Sequence, residues 1–352
     1  MRRWDAFVLV CDYLREGLLG EAPVRNAQSI RWEALINTSS RHYVTPALAW
    51  CLRGFANIPT EIRAYFEAAL ALNGERNVVQ LTSLARIVAA LNEIDIEPLL
   101  LKGASHLIDG SYPDPSLRFL GDLDVLVPED KAAEAASKLK ALGFSENNSS
   151  LVPPSHHHLS MLVDRETGAG VEIHKQPAPS TFQGVVSTRW FWEGATPFPF
   201  RDLRVRLPSP TKRVVLNVVH DQLFNRQYQR QGAELRQLLD LSLLRAQHDG
   251  EIDWSEVDRR FCDAGAGQVL ATYLEFARAL LGQPPPQVSC APRLNAIEGF
   301  KSRMASWRAA RRMATEYVAA RRRQPLGIFR LLNPRTWANR LRLLRAGFDT
   351  TT

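Results

Sequence analysis

Cysteine is scarce in this chain, and its four copies lie far apart. Cys11, Cys51, Cys262 and Cys290 form no Cys-x-x-Cys pair, so their spacing suggests neither a zinc site nor a disulfide framework. We therefore expect reduced thiols and a cytoplasmic protein of bacterial type.

Long hydrophobic runs are missing as well. No uncharged apolar stretch of roughly 18 residues occurs, so no membrane-spanning segment is expected. Residues 1–17 begin with two arginines and a short apolar run, which superficially matches a signal peptide. Charged residues interrupt that run, and no small-residue cleavage site follows. An amphipathic first helix explains the segment better, with an apolar side made of Trp4, Phe7, Val8, Cys11 and Leu14.

An internal repeat is also lacking, and the composition is that of a globular protein. The 352 residues, of which 45% are hydrophobic and 23% charged, suffice for two or three packed units. Positive charge is concentrated at one end, where residues 301–352 contain thirteen basic side chains against Glu316 and Asp349. Since the whole chain carries a net charge of +7, the remainder is net negative.

Hydrophobic periodicity divides the chain into four regions. Helical patterns fill residues 1–93, strand and helix patterns alternate over 94–208, and helical patterns return over 209–290 and in the basic end, 291–352. The predicted fold class is α/β (α+β), with a small mixed-sheet core embedded in a largely helical protein. Individual helices are predicted at 60–73, 75–93, 104–109, 129–142 and, in the basic end, near 292–323 and 334–346. Strands are predicted at 96–101, 119–127, 157–163 and 171–175, and residues 165–170 form the turn that joins the last two strands in a hairpin.

Two aspartates one residue apart carry the strongest chemical signal. Asp122 and Asp124 lie on a predicted strand, where alternate side chains project together with Cα atoms about 6 to 7 Å apart. Such carboxylates repel each other unless a cation lies between them, and Mg²⁺ prefers one or two carboxylates plus phosphate oxygens. A lone Asp-x-Asp pair more often marks a solvated strand end. The very apolar continuation, 125–127, makes unpartnered acids costly and favours the metal pair.

Further polar residues occur near the ends of neighbouring predicted strands. Lys102 and Gly103 follow the strand at 96–101, where glycine would let backbone N–H groups approach a phosphate and the lysine adds positive charge. Glu172 lies on a later strand that can stand beside the aspartates, and His174 projects to the same face. Contact of His174 with nucleotide or substrate and simple packing are equally good explanations.

Together these motifs resemble the uncharacterised nucleotidyltransferases of the polymerase-β-like superfamily, over about residues 40 to 250. The resemblance rests on Leu100-Leu101-Lys102-Gly103, Tyr112, Arg118, the Gly-Asp-Leu-Asp strand, the Val-Glu-Ile-His strand, Arg76-Asn77 and the segment Leu235-Arg-Gln-Leu-Leu-Asp240-Leu.

The resemblance implies roles for several of these residues. Asp122 and Asp124 would bind the catalytic metals, Gly103 and Ser105 would cradle the triphosphate, and Glu172 would supply the third carboxylate. Two Mg²⁺ ions would bridge carboxylates and NTP phosphates while an acceptor hydroxyl, deprotonated near Glu172, attacks the α-phosphorus and pyrophosphate leaves. The chain departs from the wider superfamily because Ala104, not serine, follows Gly103, and because that glycine lies further from the first aspartate.

Other candidates have structural explanations of equal or greater weight. Arg118 is a reasonable nucleotide ligand because its fork pairs with phosphate, but a salt bridge to Asp114 or Asp122 explains it nearly as well. A metal cluster of the three histidines at 156–158 is less favoured than a solvent-facing loop or strand start, because adjacent side chains in an extended segment alternate. Buried capping or helix-pairing roles are favoured for His220, Asp221 and Asp240.

The Arg-rich end, residues 301–345, permits several partners. It can bind RNA phosphates, an anionic membrane surface or an acidic substrate or partner, or it can be an exposed helical face. Direct nucleic-acid binding is not the favoured explanation, because interleaved base-stacking aromatics are few.

The sequence thus predicts an Mg²⁺- or Mn²⁺-dependent nucleotidyltransferase that moves NMP, with AMP favoured, from an NTP to a hydroxyl. The acceptor would be a peptide, a protein, a small molecule or an RNA such as tRNA, and ATP is the favoured donor. The predicted catalytic and metal residues are Asp122, Asp124 and Glu172, and the predicted nucleotide-binding residues are Lys102, Gly103, Ser105, Arg118 and His174. Alternatives are γ-phosphoryl transfer from the same site and an inactive protein that holds RNA or a partner through its Arg-rich end.

Overall fold

The computed structural model describes residues 3–21, 30–147 and 151–305. The helices are α1 (Arg3–Leu14), α2 (Trp32–Arg41), α3 (Thr45–Cys51), α4 (Thr60–Glu93), α5 (Lys102–Ile108), α6 (Ala132–Ala141), α7 (Thr188–Trp192), α8 (Pro210–Val218), α9 (Leu235–His248), α10 (Trp254–Asp263), α11 (Gly267–Leu281) and α12 (Ala296–Ala305). The strands are β1 (Leu99–Leu100), β2 (Leu123–Leu126), β3 (Phe144–Glu146), β4 (Leu162–Asp164), β5 (Gly170–His174), β6 (Thr196–Pro197) and β7 (Arg206–Leu207).

The strands form one mixed sheet in the order β3-β4-β5-β2-β1-β7-β6. Its centre is the parallel pair β2 and β5, in which Asp124 lies opposite Glu172 and Leu126 opposite His174. The predicted hairpin is confirmed as the antiparallel pair β4 and β5. A mixed sheet within a largely helical chain confirms the predicted α/β class.

Side-chain alternation along β2 and β5 separates apolar from chemical residues. Val125 and Ile173 join a hydrophobic core that includes residues of α4, α5 and α6. Because neighbouring strand residues point to opposite faces, Asp124, Glu172 and His174 project from the other side of the sheet. Leu126 shares that side and belongs to a second core built mainly from helices. The acidic side chains therefore face the helical part of the protein.

The second core joins helices from both ends of the described chain. Buried residues of α1, α2 and α3 pack in it together with buried residues of α8 to α12. The predicted first helix is confirmed in α1, but the expected one-sided burial is wrong, because even Asp12 on its polar side is buried. The division into regions 1–93, 94–208, 209–290 and 291–352 stays a prediction.

Helix α4 replaces the two helices predicted at 60–73 and 75–93. It runs through Gly74 without a break. A Cβ at that glycine would lie 3.3 Å from the Cβ of Ser116, so the glycine allows the chain before β2 to approach the helix closely. The strand predicted at 119–127 is shortened to β2, Leu123–Leu126. The side chain of Arg76 in α4 binds the carbonyl groups of Leu120 and Gly121, the residues before Asp122.

Short elements account for the remaining differences. Strands β3, β6 and β7 and helix α7 were not predicted, since two to five residues are too few to display a period. In the described residues, no helix has the length and apolar character needed to cross a membrane. Of the helix predicted near 292–323, the described residues contain α12, Ala296–Ala305. The helix predicted near 334–346 and most of the Arg-rich end lie outside the described residues, which end at residue 305.

Candidate active site

Three carboxylates meet where β2 begins beside β5. Asp124 and Glu172 are opposite each other in the parallel ladder, and Asp122 immediately precedes β2. One ligand atom each from Asp124, Glu172 and His174 lie within 4.8 Å of one another. The charges of Asp122 and Asp124 act on each other and on Glu172, so Asp122 lies near this pair. We call Asp122, Asp124 and Glu172 the carboxylate cluster.

Lys102 is the counter-ion of this cluster. Its Nζ lies 2.6 Å from Oδ1 of Asp124, which also lies 2.9 Å from Nε2 of His174. The lysine follows β1 with a φ of +46°, in the left-handed region. A non-glycine residue there costs roughly 1 to 2 kcal/mol, which the ion pair offsets. The turn from β1 into α5 thus places an ammonium group against β2.

The crowding of the carboxylates separates their pKa values. Burial, followed by the charge of Asp124, raises the pKa of Asp122 to about 6. Burial and both aspartates raise the pKa of Glu172 to about 8. Burial acts in the same direction on Asp124, but the Lys102 ammonium and His174 outweigh it and hold that pKa well below its usual range. Only one of the three carboxylates is thus strongly stabilised as the anion by protein groups.

The donor set of the cluster fits a hard divalent cation. Mg²⁺ and Mn²⁺ bind carboxylate oxygens, and a cation between acids stabilises the ionised forms that burial disfavours at Asp122 and Glu172. His174 is fully buried, and its Nε2 is directed to Asp124, so the histidine fixes the orientation of the Asp124 carboxylate. The residues that would hold the metal are therefore Asp122, Asp124 and Glu172.

The two residues predicted to cradle phosphate, Gly103 and Ser105, have packing partners. A Cβ at Gly103 would collide with the guanidinium of Arg118 and with the side chain of Leu120. Ser105 is 1% exposed and donates its hydroxyl to the carbonyl of Lys102 at 2.8 Å. The absence of a side chain at Gly103 therefore leaves room for Arg118, and the Ser105 hydroxyl stabilises the first turn of α5.

Arg118 pairs with a carboxylate outside the cluster, and its role as a nucleotide ligand stays a prediction. Its Nε and Nη2 donate to the two oxygens of Asp240 at 2.9 and 2.8 Å, and the hydroxyl of Tyr112 donates to the same carboxylate at 2.7 Å. The alternative prediction of a salt bridge to Asp114 or Asp122 is wrong, because Asp240 is the partner. Asp114 instead accepts a hydrogen bond from the backbone N–H of Ser116. This buried pair ties the chain before β2 to α9.

Sequence reasoning missed the residues that hold residues 115–121, the loop that leads to Asp122. Asn73 and Asn77 of α4 both donate to the carbonyl of Arg118, and Arg76 donates to the carbonyls of Leu120 and Gly121 at 2.8 and 3.1 Å. The family resemblance includes Arg76-Asn77 but assigns no role to either residue. Helix α4 therefore sets the position of the loop and, through it, of Asp122.

Arg236, at the start of α9, was also missed. Together with Lys102 and Arg76 it lowers the pKa of Asp122, against the larger effect of burial. Its Nη1 reaches the carbonyl of Phe119 at 3.4 Å, and its side chain is 18% exposed. Three cationic side chains thus surround the first aspartate, where the sequence had indicated only one.

Two pockets adjoin Lys102 on the helical side of the sheet. One is bounded by His157, His220 and Phe224. The other is bounded by Ser105, Arg213 and His220 among others. Lys102 and His220 border both pockets, so His220 lies at the site and not merely within a packed helix.

The histidine run differs from its predicted solvent-facing arrangement. His157 is 6% exposed and the side chain of His158 is 11% exposed. The chain bends at these residues and gathers their rings, because the carbonyl of His157 accepts hydrogen bonds from the N–H groups of Lys175 and Gln176. Nε2 of His158 lies 3.6 Å from Oε2 of Glu172, which places the histidines beside the carboxylate cluster.

Comparison with known proteins agrees with the geometry. No curated protein matches the chain, and no solved structure matches it. A family model described as "Uncharacterised nucleotidyltransferase" matches residues 28–282, which include the sheet, the carboxylate cluster, α4 and α9. The chain therefore belongs to this family of uncharacterised nucleotidyltransferases.

Proposed function

We propose that the protein is a metal-dependent nucleotidyltransferase that transfers NMP from an NTP to an acceptor hydroxyl. The observation that carries the proposal is the parallel register of Asp124 with Glu172, with Asp122 one step before β2. Asp124 and Glu172 are thereby held side by side with the charge of Asp122 acting on them, and Lys102, next to this cluster, borders two pockets. The family match supports the same class of chemistry.

Some residues of the site are assigned to the metal and others to the substrate. Asp122, Asp124 and Glu172 would hold Mg²⁺ or Mn²⁺, and the ion would supply positive charge opposite the reacting phosphates. Lys102 and Arg236 act by charge on Asp122 and attract the polyphosphate chain in the same way. Glu172, ionised once a metal is bound, would take the proton of an acceptor hydroxyl. His174 fixes the orientation of Asp124 through its 2.9 Å contact.

ATP is the donor and AMP the transferred group in this proposal. The acceptor is a hydroxyl on a peptide, a protein, a small molecule or an RNA such as tRNA, and the reaction takes place in the cytoplasm. A role of the Arg-rich end, 301–345, in holding an anionic acceptor belongs to the same proposal.

Phosphoryl transfer is the second candidate, because a metal held by the carboxylate cluster can also bind the γ-phosphate. The two reactions differ in which phosphorus reaches the acceptor. Full-length protein is incubated with Mg²⁺, fractionated cell extract and ATP labelled at either the α- or the γ-phosphate. Label from the α-position in protein, RNA or metabolite products, absent with Asp122→Asn/Asp124→Asn, is the expected result. Label from the γ-position alone would establish a kinase instead.

A further inference from the structure

Three consecutive histidines form a compact imidazole cluster next to the carboxylate cluster. The ring centroids of His156, His157 and His158 lie between 4.2 and 4.7 Å apart. His158 forms an antiparallel bridge with His174, so the sheet holds the segment in place. The rings are therefore brought together by the fold.

The nitrogen atoms of this imidazole cluster converge. One ring nitrogen from each of the three histidines lies within 4.8 Å of the other two. A tetrahedral Zn²⁺ ion lies about 2.0 to 2.1 Å from imidazole nitrogen, which places its ligands about 3.4 Å apart. Small rotations about the side-chain bonds can close the remaining distance.

Two buried nitrogens of the cluster lack a protein partner. Among the described residues, Nδ1 of His156 and Nδ1 of His157 have no hydrogen-bond partner, although His157 is only 6% exposed. A buried polar atom without a hydrogen bond destabilises the fold, so a ligand that uses its lone pair is favoured.

His158 presents a lone pair towards a carboxylate. Its Nδ1 lies 2.7 Å from the carbonyl oxygen of Leu159, which can only accept, so Nδ1 carries the proton. The other nitrogen, Nε2, is then an acceptor that faces Oε2 of Glu172 at 3.6 Å. At this distance the two atoms form no hydrogen bond with each other, whereas a cation between or beside them binds both.

We propose that His156, His157 and His158 form a binding site for a borderline transition-metal cation such as Zn²⁺, with Glu172 beside the open coordination position. Imidazole nitrogens suit Zn²⁺, whereas Mg²⁺ and Mn²⁺ prefer the oxygens of Asp122 and Asp124. The two sites therefore differ in donor chemistry although they are neighbours. The proposal does not depend on nucleotidyl transfer.

The test measures Zn²⁺ binding to full-length protein that carries no polyhistidine tag and has been treated with chelator. Calorimetry should show one Zn²⁺ per chain, and Co²⁺ in place of Zn²⁺ should give the intense visible absorption of a four-coordinate nitrogen site. Affinity should fall at least about tenfold in His157→Gln and in His156→Ala. The second variant removes a more exposed ring, so it keeps the test valid if the first fails to fold.

Matched variants separate this site from the carboxylate cluster. His248→Ala, which removes a histidine paired with Glu251 elsewhere on the protein, should leave Zn²⁺ binding unchanged. Asp122→Asn/Asp124→Asn should retain Zn²⁺ even if it loses nucleotide. Absence of stoichiometric binding, full affinity in His156→Ala, or loss of Zn²⁺ in the double aspartate variant would each overturn the proposal.

Discussion

Glu172 holds a proton in the metal-free protein that the unfolded chain releases. Burial and the two aspartates raise its pKa from 4.5 to about 8. The folded state therefore binds more protons over this range, and stability falls as the pH rises from about 4.5 to about 8. The buried histidines act in the opposite sense and at lower pH, because their lowered pKa values cost stability only as the pH falls below 6.5.

Glu172→Gln should remove this pH dependence. Between about pH 6.5 and about pH 8.5, urea unfolding without metal should show a loss on the order of 1 to 2 kcal/mol in the wild type and a much smaller loss in the variant. Saturating Mg²⁺ should flatten the wild-type curve, because it favours the ionised acid. Equal slopes for the two proteins would contradict the assigned pKa of Glu172.

Lys102 should be a strong stabiliser only while the metal is absent. Lys102→Ala leaves Asp124 without its closest cation and should cost roughly 2 to 4 kcal/mol in metal-free protein. Lys138→Ala, which removes an ammonium from an exposed pair with Glu93, should cost less than about 1 kcal/mol. Thermal melting with and without Mg²⁺ measures the loss of stability in both variants. If Lys102→Ala remains equally destabilised at saturating Mg²⁺, then Lys102 and the metal do not stabilise the same carboxylate.

Single residues differ in how far the sequence could identify them. Asp122 and Asp124 could be singled out because side-chain alternation along a strand is a local rule, and the family resemblance added Glu172 to them. Their role as metal ligands stays a prediction. The partner of Arg118 was not found, since Asp240 lies on a helix that is distant in the sequence and close only after folding. The buried histidines were missed because a bend, not an extended strand, carries them.

At the scale of elements, α4 is the support of the loop 115–121. Asn77→Ala would remove the hydrogen bond to the carbonyl of Pro115 and leave the carbonyl of Arg118 with Asn73 alone, and should cost about 1 to 3 kcal/mol. Because the loop leads to Asp122, metal affinity should fall as well. Thr82→Ala, an exposed change on the same helix, is the control for both measurements. Lower stability with unchanged Mg²⁺ affinity would show that the loop does not set the metal site.

The ion pair between Arg118 and Asp240 should behave as one unit that joins the loop to α9. Arg118→Met and Asp240→Leu should each cost about 3 to 5 kcal/mol, because each leaves a buried charge without its partner. The double variant should cost clearly less than the sum of the two. Additive losses in a double-mutant cycle of urea unfolding would show that the two charges do not depend on each other.

Elements were predictable where a period was long enough to read. The pattern of β2 and the hairpin of β4 and β5 follow from alternation and turn residues. The continuity of α4 through Gly74 did not, because it depends on the approach of Ser116. The residues before Asp122 have the sequence pattern of a strand, but their carbonyl groups accept hydrogen bonds from Arg76 of α4.

In the whole molecule, the site lies between a sheet core and a helical core. Asp124 and Glu172 project from β2 and β5 on the face opposite Val125 and Ile173. Leu216 of α8 borders both pockets beside Lys102, and Asp240 of α9 borders one of them. Helices from both ends of the described chain share the second core, which no local sequence pattern indicates. The surroundings of the site therefore depend on packing that only the folded structure displays.

Metal-dependent nucleotide binding is the most direct test of the proposed function. Calorimetric titration of the wild type with ATP, GTP, CTP and UTP, with and without Mg²⁺, is compared with Asp122→Asn/Asp124→Asn. We expect at least one NTP, ATP first, to bind only with Mg²⁺ and binding to disappear in the double variant. Absence of NTP binding to the wild type, or equal binding to the variant, would contradict a nucleotidyltransferase site at Asp122, Asp124 and Glu172.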